Sequence, residues 1–205
     1  MAKTNEIQFN VKNVKYAVKD PITGEYEAPK DLAYAEAIAL EAVFSTQDVY
    51  GDGVKIATLA SDQGMTGTLT LVQPAPQYEI DMGRKKEIDG GIADVTQLDS
   101  VEHAIYYEVE AVVNGTKSTI KTWLYNVISG RPSETFTQTK ENPTLNNIEV
   151  ALTINGDDLM DSAGTAVYVD AGGNSQKAIK LTAKPSDTGY ATFGAAVPVP
   201  KVKAA

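Results

Sequence analysis

Residues 101–130 read VEHAIYYEVEAVVNGTKSTIKTWLYNVISG, two long runs rich in β-branched and aromatic residues on either side of Asn114-Gly115. That dipeptide accepts positive φ at both central positions of a tight turn, and the twist of such a turn matches a β-hairpin. Each arm holds roughly 12–13 residues, about 40 Å of extended chain. Strands of that length suit an assembly larger than one small sandwich. On the first arm Glu102, Glu108 and Glu110 fall on one side, opposite His103, Ile105, Tyr107, Val109, Ala111 and Val113, because side chains alternate across a strand. One face is therefore expected to be acidic and the other mostly apolar.

The same alternation extends upstream. Ile7, Phe9 and Val11 are expected on one side of a strand, followed by an extended run with Val14, Tyr16 and Val18 and a turn through Asp20-Pro21 and Gly24. The alanine-rich stretch 31–40, DLAYAEAIAL, suits a helix by propensity, yet Leu32, Tyr34, Glu36, Ile38 and Leu40 alternate at a period of two, which favours a strand. Gly51, Asp52 and Gly53, between β-prone Val49-Tyr50 and Val54-Ile56, predict a long hairpin or protruding loop within residues 41–72. A hydroxyl-faced strand (Thr66, Thr68, Thr70) comes next. Pro74 and Pro76 end it, and a short helix is predicted over Tyr78–Lys86, with acidic residues early and basic ones late. Residues 87–100 are polar and predict a connecting loop. Extended runs are expected at 133–139 and 147–154. Beyond Asn155-Gly156 turns dominate, so the expected division is a β domain over 1–155 and a C-terminal extension over 156–205, partly β or poorly ordered.

Composition narrows the chemistry. There is no cysteine and one histidine, His103, so disulfide frameworks, thiolate nucleophiles, Cys-ligated metals and His-rich sites are out of reach. Phosphate loops, GxSxG and HExxH are absent. The expectation is a non-enzyme without cofactor or metal. Asp48, Asp52, Asp89 and Asp94 lack the ligand series of a calcium loop, as do Asp157, Asp158 and Asp161; solvated loops explain them. Net charge is −9, from 18 basic against 27 acidic residues, which disfavours tight nucleic-acid binding and suits DNA that must slide past. No apolar run reaches the ~20 residues of a membrane span. The N-terminal Met-Ala-Lys-Thr-Asn-Glu lacks a signal-peptide core, so synthesis in the cytoplasm is expected.

The order of features carries a resemblance. KNVKYAV (12–18), DVYGDG (48–53), GMTGTL (64–69) and WLYNVISGRPSETFTQTKENPTLNNIEVALTING (123–156) resemble the major tail protein, or tail tube protein, family of siphophages; the most specific piece is Leu124-Tyr125-Asn126-Val127, followed by Arg131-Pro132 and Thr139-Lys140-Glu141. The resemblance spans roughly 7–155. It implies a mainly β, sandwich or barrel-like protomer with a small flanking helix. Such protomers form homohexameric rings stacked into the virion's tail tube, through which DNA passes during ejection. The partners it implies are further copies and the tape measure, tail terminator and distal tail proteins. The segment matching the inter-ring loop carries Asp48, Tyr50 and Asp52, and Glu102, Glu108 and Glu110 are candidates to face the lumen. The competing expectation is a monomeric β-sandwich binding module that recognises protein or carbohydrate, the latter through Tyr106, Tyr107, Trp123 and Tyr125.

Overall fold

The computed structural model describes residues 6–32, 34–134, 138, 146–161, 164–167 and 175–202. In chain order the strands are β1 (Glu6–Val18), β2 (Lys30–Asp31), β3 (Ala35–Gly51), β4 (Val54–Leu71), β5 (Lys85–Ile88), β6 (Gly91–Asp94), β7 (His103–Val113), β8 (Thr116–Ser129), β9 (Ile148–Ile154), β10 (Asp157–Asp158), β11 (Lys177–Ala178) and β12 (Lys180–Ala183); helix α1 (Pro76–Asp81) comes after β4. The mainly β architecture, short helix and long hairpin are as expected. One antiparallel sheet runs β2-β1-β7-β8-β9-β4-β3, with β12 added on β8. Its two ends, β2 and β3, are separated in the chain only by residues 32–34, so the sheet curls round on itself. No ladder joins the ends among the described residues, and the barrel stays open.

The hollow of the curl holds the main core: Val14, Tyr16, Leu69, Leu71, Ile105, Tyr107, Leu124, Val127, Val150, Leu152 and Ile154, closed at one end by Tyr78 and Met82 of the α1 region. These two lie four residues apart, one above the other on a helical face. A second, smaller core lies on the opposite side of the sheet. There Ala17, Ala104, Tyr106, Trp123 and Tyr125 are covered by Tyr26, Ala178, Leu181, Phe193 and Val197.

The two predicted tight turns have the expected backbone: Asn114 and Gly115 at φ +48° and +83°, Asp52 and Gly53 at +52° and +79°. Residues 35–40 resolve in favour of the strand, with Ile38 and Leu40 turned toward the core and Ala37 and Ala39 exposed on the other side. A Cβ on Gly67 would lie 2.3 Å from the carbonyl oxygen of Ala39.

Other expectations are corrected. Helix α1 ends at Asp81, before the basic run, and Lys85 and Lys86 enter β5 instead. The expected loop 87–100 takes in most of the β5–β6 hairpin, turned at Asp89-Gly90. In β1 the alternation Ile7, Phe9, Val11 breaks at a bulge: Phe9 pairs with Glu110, but Val11 pairs with Val109, so the two side chains lie on opposite faces. Asn10 is the extra residue, at φ +54°, and a second bulge holds Asn13 at φ +50°. Each bulge inserts one residue and reverses the facing of the strand residues beyond it. Of the run expected over 133–139, Ser133 bridges Glu149, while Thr139-Lys140-Glu141 lies outside the described residues. The Pro198–Lys201 stretch, expected to hold little order, is fastened: Tyr125 donates its hydroxyl to Pro198 O (2.8 Å), and Lys201 bridges Met160.

Candidate functional site

The part of the molecule that solvent alone does not explain is the outer half of the β3–β4 hairpin. β9 pairs with β4 only from Met65 to Leu71, so from Phe44 to Asp62 the ribbon has two strands. Val54 to Asp62 alone spans roughly 30 Å at about 3.3 Å per residue. Almost every residue on it is exposed.

Register divides its faces. Val49 pairs with Ala57 and Tyr50 with Lys55, leaving Ile56 as a bulge. The Ile56 side chain crosses bare Gly51, where a Cβ would sit 2.3 Å from Ile56 Cδ1. One face thus gathers Val49, Val54, Ile56, Ala57 and Leu59. Ile56 is 68% exposed, Val54 64% and Leu59 59%. The other face is mixed, with Phe44 near its base and polar groups beyond: Asp48 accepts from Lys55 Nζ (2.7 Å) and Thr58 Oγ1 (2.8 Å), and those two bonds, Lys55 first, hold its carboxyl below the usual range. Tyr50 stands on this face, and Asp52 occupies the turn. A two-stranded ribbon is marginal in water on its own, and an apolar face of this size needs a cover.

Sheet edges give the second feature. β3 ends the sheet, and no described strand pairs with its outer side. Its sequence, AEAIALEAVFSTQDVYG, contains neither lysine nor proline, the residues with which proteins usually blunt an edge. The opposite end is protected: β2 has two residues, Lys30 and Asp31, just after Pro29.

Glu102, Glu108 and Glu110 are individually engaged. Glu110 accepts from Lys12 Nζ (2.9 Å) and from Asn10 Nδ2 (3.2 Å). The Lys12 bond holds the Glu110 carboxyl below its ordinary range and the Lys12 ammonium above. Glu108 accepts from Asn13 Nδ2 (2.8 Å) and Tyr106 Oη (2.7 Å), and Glu102 lies 3.4 Å from Lys19 Nζ. The two bulges that break β1 therefore aim their asparagines at the β7 glutamates. The face is a mixed-charge strip, half of it covered by the second core.

Trp123, Tyr125, Tyr106 and Tyr107 are 0–6% exposed. They hold the fold together and present no platform for a sugar, which removes the residues on which the carbohydrate expectation stood. His103 is likewise interior, with no exposed surface. Its Nδ1 faces the carbonyl of Val101 (3.2 Å) and its Nε2 faces Tyr78 Oη (3.0 Å), which lies 2.8 Å from Ser129 Oγ. Arg84 donates to Ser129 Oγ, Ser129 O and Gly130 O, and bidentately to Glu79 at 2.8 Å. Since a carbonyl can only accept, Nδ1 carries the proton, and a ring buried this deeply stays neutral. Burial, opposed in part by the Val101 bond, pushes its pKa down to about 4. This network pins the end of α1 to the end of β8, and no sequence signal announces it because its members are scattered from 78 to 130.

Of the aspartates considered for calcium, Asp48, Asp94, Asp157, Asp158 and Asp161 have protein partners. Asp157 accepts from Lys19 Nζ (2.7 Å) and Tyr26 Oη (2.5 Å), Asp158 is bonded to Lys177 and Ser175, and Asp94 lies 3.2 Å from Arg131. Among the described residues no group of three or more His, Asp or Glu is placed to hold a metal, and no helix is long and apolar enough to cross a membrane.

No protein-family model matches the chain, and no curated protein does. Among solved structures, a chain in the six-fold symmetrised cryo-electron microscopy structure of the anti-feeding prophage baseplate aligns with 69% of this chain and 86% of its own length, at 10% identity and a TM-score of 0.40. A likeness that slight bears no weight on function.

Proposed function

We propose that this chain is a non-catalytic structural subunit that works by associating with further copies of itself, as the tube protein of a long-tailed phage. The observation that carries the reading is the β3–β4 ribbon, whose apolar face (Val49, Val54, Ile56, Ala57, Leu59) is left without cover by its own chain among the described residues. Burying each of the larger aliphatic side chains against a neighbour stabilises by roughly 1.5–3 kcal/mol, which offsets the order lost on association. The long unblunted β3 edge supports the same reading, because backbone groups left open in one copy are satisfied by pairing with another. Cyclic closure limits lateral growth, while head-to-tail stacking allows growth along an axis.

Within this proposal the ribbon, with Asp48, Tyr50 and Asp52, reaches the next ring, and the strip with Glu102, Glu108 and Glu110 lines the channel. Its carboxylates are matched by Lys12, Lys19 and asparagines, so the lining is closer to neutral than acidic and holds DNA weakly. Tape measure, terminator and distal tail proteins would be the partners at the two ends. Replacing Ile56 and Leu59 with Ser tests the proposal: monomer folding should persist while rings and tubes vanish from electron micrographs. Tubes formed as readily by this variant as by the unaltered chain would end the ribbon's role.

A further inference from the structure

Residues 175–202 cross the Trp123 side of the sheet as a strap. β12 ladders onto β8 at Lys121–Leu124, and the rest lies over Tyr106, Trp123 and Tyr125. Leu181, Phe193 and Val197 pack on the core there, Tyr190 Oη donates to Thr119 O, and the rest of its hold runs to its backbone. The sheet's side chains donate to strap carbonyls: Trp123 Nε1 to Phe193 O, Tyr125 Oη to Pro198 O and Lys121 Nζ to Tyr190 O, at 2.8–2.9 Å. Carbonyls carry no sequence, so another extended chain could meet the same donors. Gly194 approaches so closely that a Cβ there would lie 2.8 Å from the Tyr106 ring.

Open clefts flank the strap. One of about 440 Å³ runs along its edge, lined by Lys15, Tyr106, Glu108, Lys121, Ala191 and Ala195. Another of about 460 Å³ separates Val197–Pro200 from Lys19, Tyr26 and Asp157. Interiors of folded proteins are close-packed, so these clefts mark where the strap's seating gives way to solvent on either side of the Trp123 core.

Charge distinguishes the strap from a better occupant. β8 carries Lys117 and Lys121 and no acid, and the strap beside it carries Lys177, Lys180, Lys184 and Lys201 against Asp187 alone. Lys177 and Lys184 find acids elsewhere, at Asp158 and Glu6, and nothing acidic in the strap faces β8. β3, the strand at the far end of the sheet whose outer edge no described strand pairs, carries Glu36, Glu41 and Asp48 and no base. On β8 itself, Thr116–Ile120 have no strand partner on the strap side among the described residues, directly beside the four-residue ladder of β12.

From this geometry and charge we infer that the strap is a releasable latch: it occupies the β8 edge in the free chain and gives way to β3 of a second copy. The inference rests on the self-association proposed above and names the edges that meet. Strand exchange at an edge needs only backbone groups and matched charge. A strap in place keeps the free chain from pairing prematurely.

The test uses the absence of cysteine. Thr122 and Thr182 face each other across β8 and β12, their hydroxyls 3.3 Å apart, so Thr122→Cys with Thr182→Cys places two thiols within disulfide reach. Oxidised full-length protein should associate at least tenfold more slowly than the same protein after reduction, followed by light scattering at low salt. Equal rates in the two states overturn the latch. Failure of the reduced protein and the unaltered chain to associate at all overturns the self-association reading instead. Hydrogen exchange on the unaltered chain then judges the latch separately: Lys180–Ala183 amides should exchange at least a hundredfold faster than those of the β7–β8 ladder, and equal protection shows the strap to be a permanent part of the core.

Discussion

Acidification between pH 6.5 and 4 should weaken the fold through one residue, His103. The ring is fully buried, its Nδ1 proton committed to Val101 O and its Nε2 to Tyr78. Burial, aided by the nearby Arg84 guanidinium, lowers its pKa from the ordinary 6.5 to about 4. The neutral form is the one the fold prefers. Above pH 6.5 the ring is neutral both folded and unfolded and makes no pH-dependent contribution. As pH falls below 6.5 the unfolded chain takes a proton that the folded chain refuses until about pH 4. Stability is lost across that window and no further below it. The displacement from 6.5 to about 4, at roughly 1.4 kcal/mol per pH unit, gives about 3 kcal/mol, or roughly 1 M in urea midpoint at an m-value of 2–3 kcal/mol per M. Urea titrations at intervals from pH 7 to 4, on the unaltered chain and on His103→Gln, isolate the effect, because both proteins share every titrating carboxylate. The unaltered chain should lose about 3 kcal/mol more than the variant over that range. Parallel curves for the two proteins would refute the reasoning, and with it the neutral-ring assignment.

Three further outcomes rest on named contacts. Glu79→Gln leaves the interior Arg84 guanidinium without its charge partner and should cost about 3–5 kcal/mol in urea unfolding. Asn126 sits at φ +46° in the β8 bulge, and its side-chain oxygen has no hydrogen-bond partner among the described residues; Asn126→Gly should therefore be close to neutral, while Asn126→Ala should cost about 1–2 kcal/mol. Glu110→Lys sets a second ammonium against Lys12 and should lower stability, with restoration by the added change Lys12→Glu; absence of that restoration would show the pairing to be incidental.

Much of the fold is open to reading from the residues alone. The Asn114-Gly115 and Asp52-Gly53 turns state their own geometry, and alternation picks a strand over a helix for 35–40 because period outweighs alanine's propensity once β4 pairs alongside. The β1 bulges are hidden for a physical reason. Asn10 and Asn13 look like polar members of an alternating strand, and only their glutamate partners about a hundred residues away draw the backbone into the left-handed region. On β7, Glu108 and Glu110 share a face, and its continuation through Ala104 and Tyr106 is buried, since the strap covers that end. A segment rich in Gly, Pro, Ala and Lys gives no periodic signal, and its docking depends on backbone carbonyls that every sequence possesses. For the candidate site, Asp48, Tyr50 and Asp52 fall where the hairpin was expected. The apolar face beside them depends on the Ile56 bulge, which strict alternation would have set on the other side with Thr58.

Electron microscopy and light scattering of the purified chain, at rising concentration in low salt, test self-association most directly. Six-fold rings or hollow tubes should form, and a species of single-chain mass at every concentration would contradict the account.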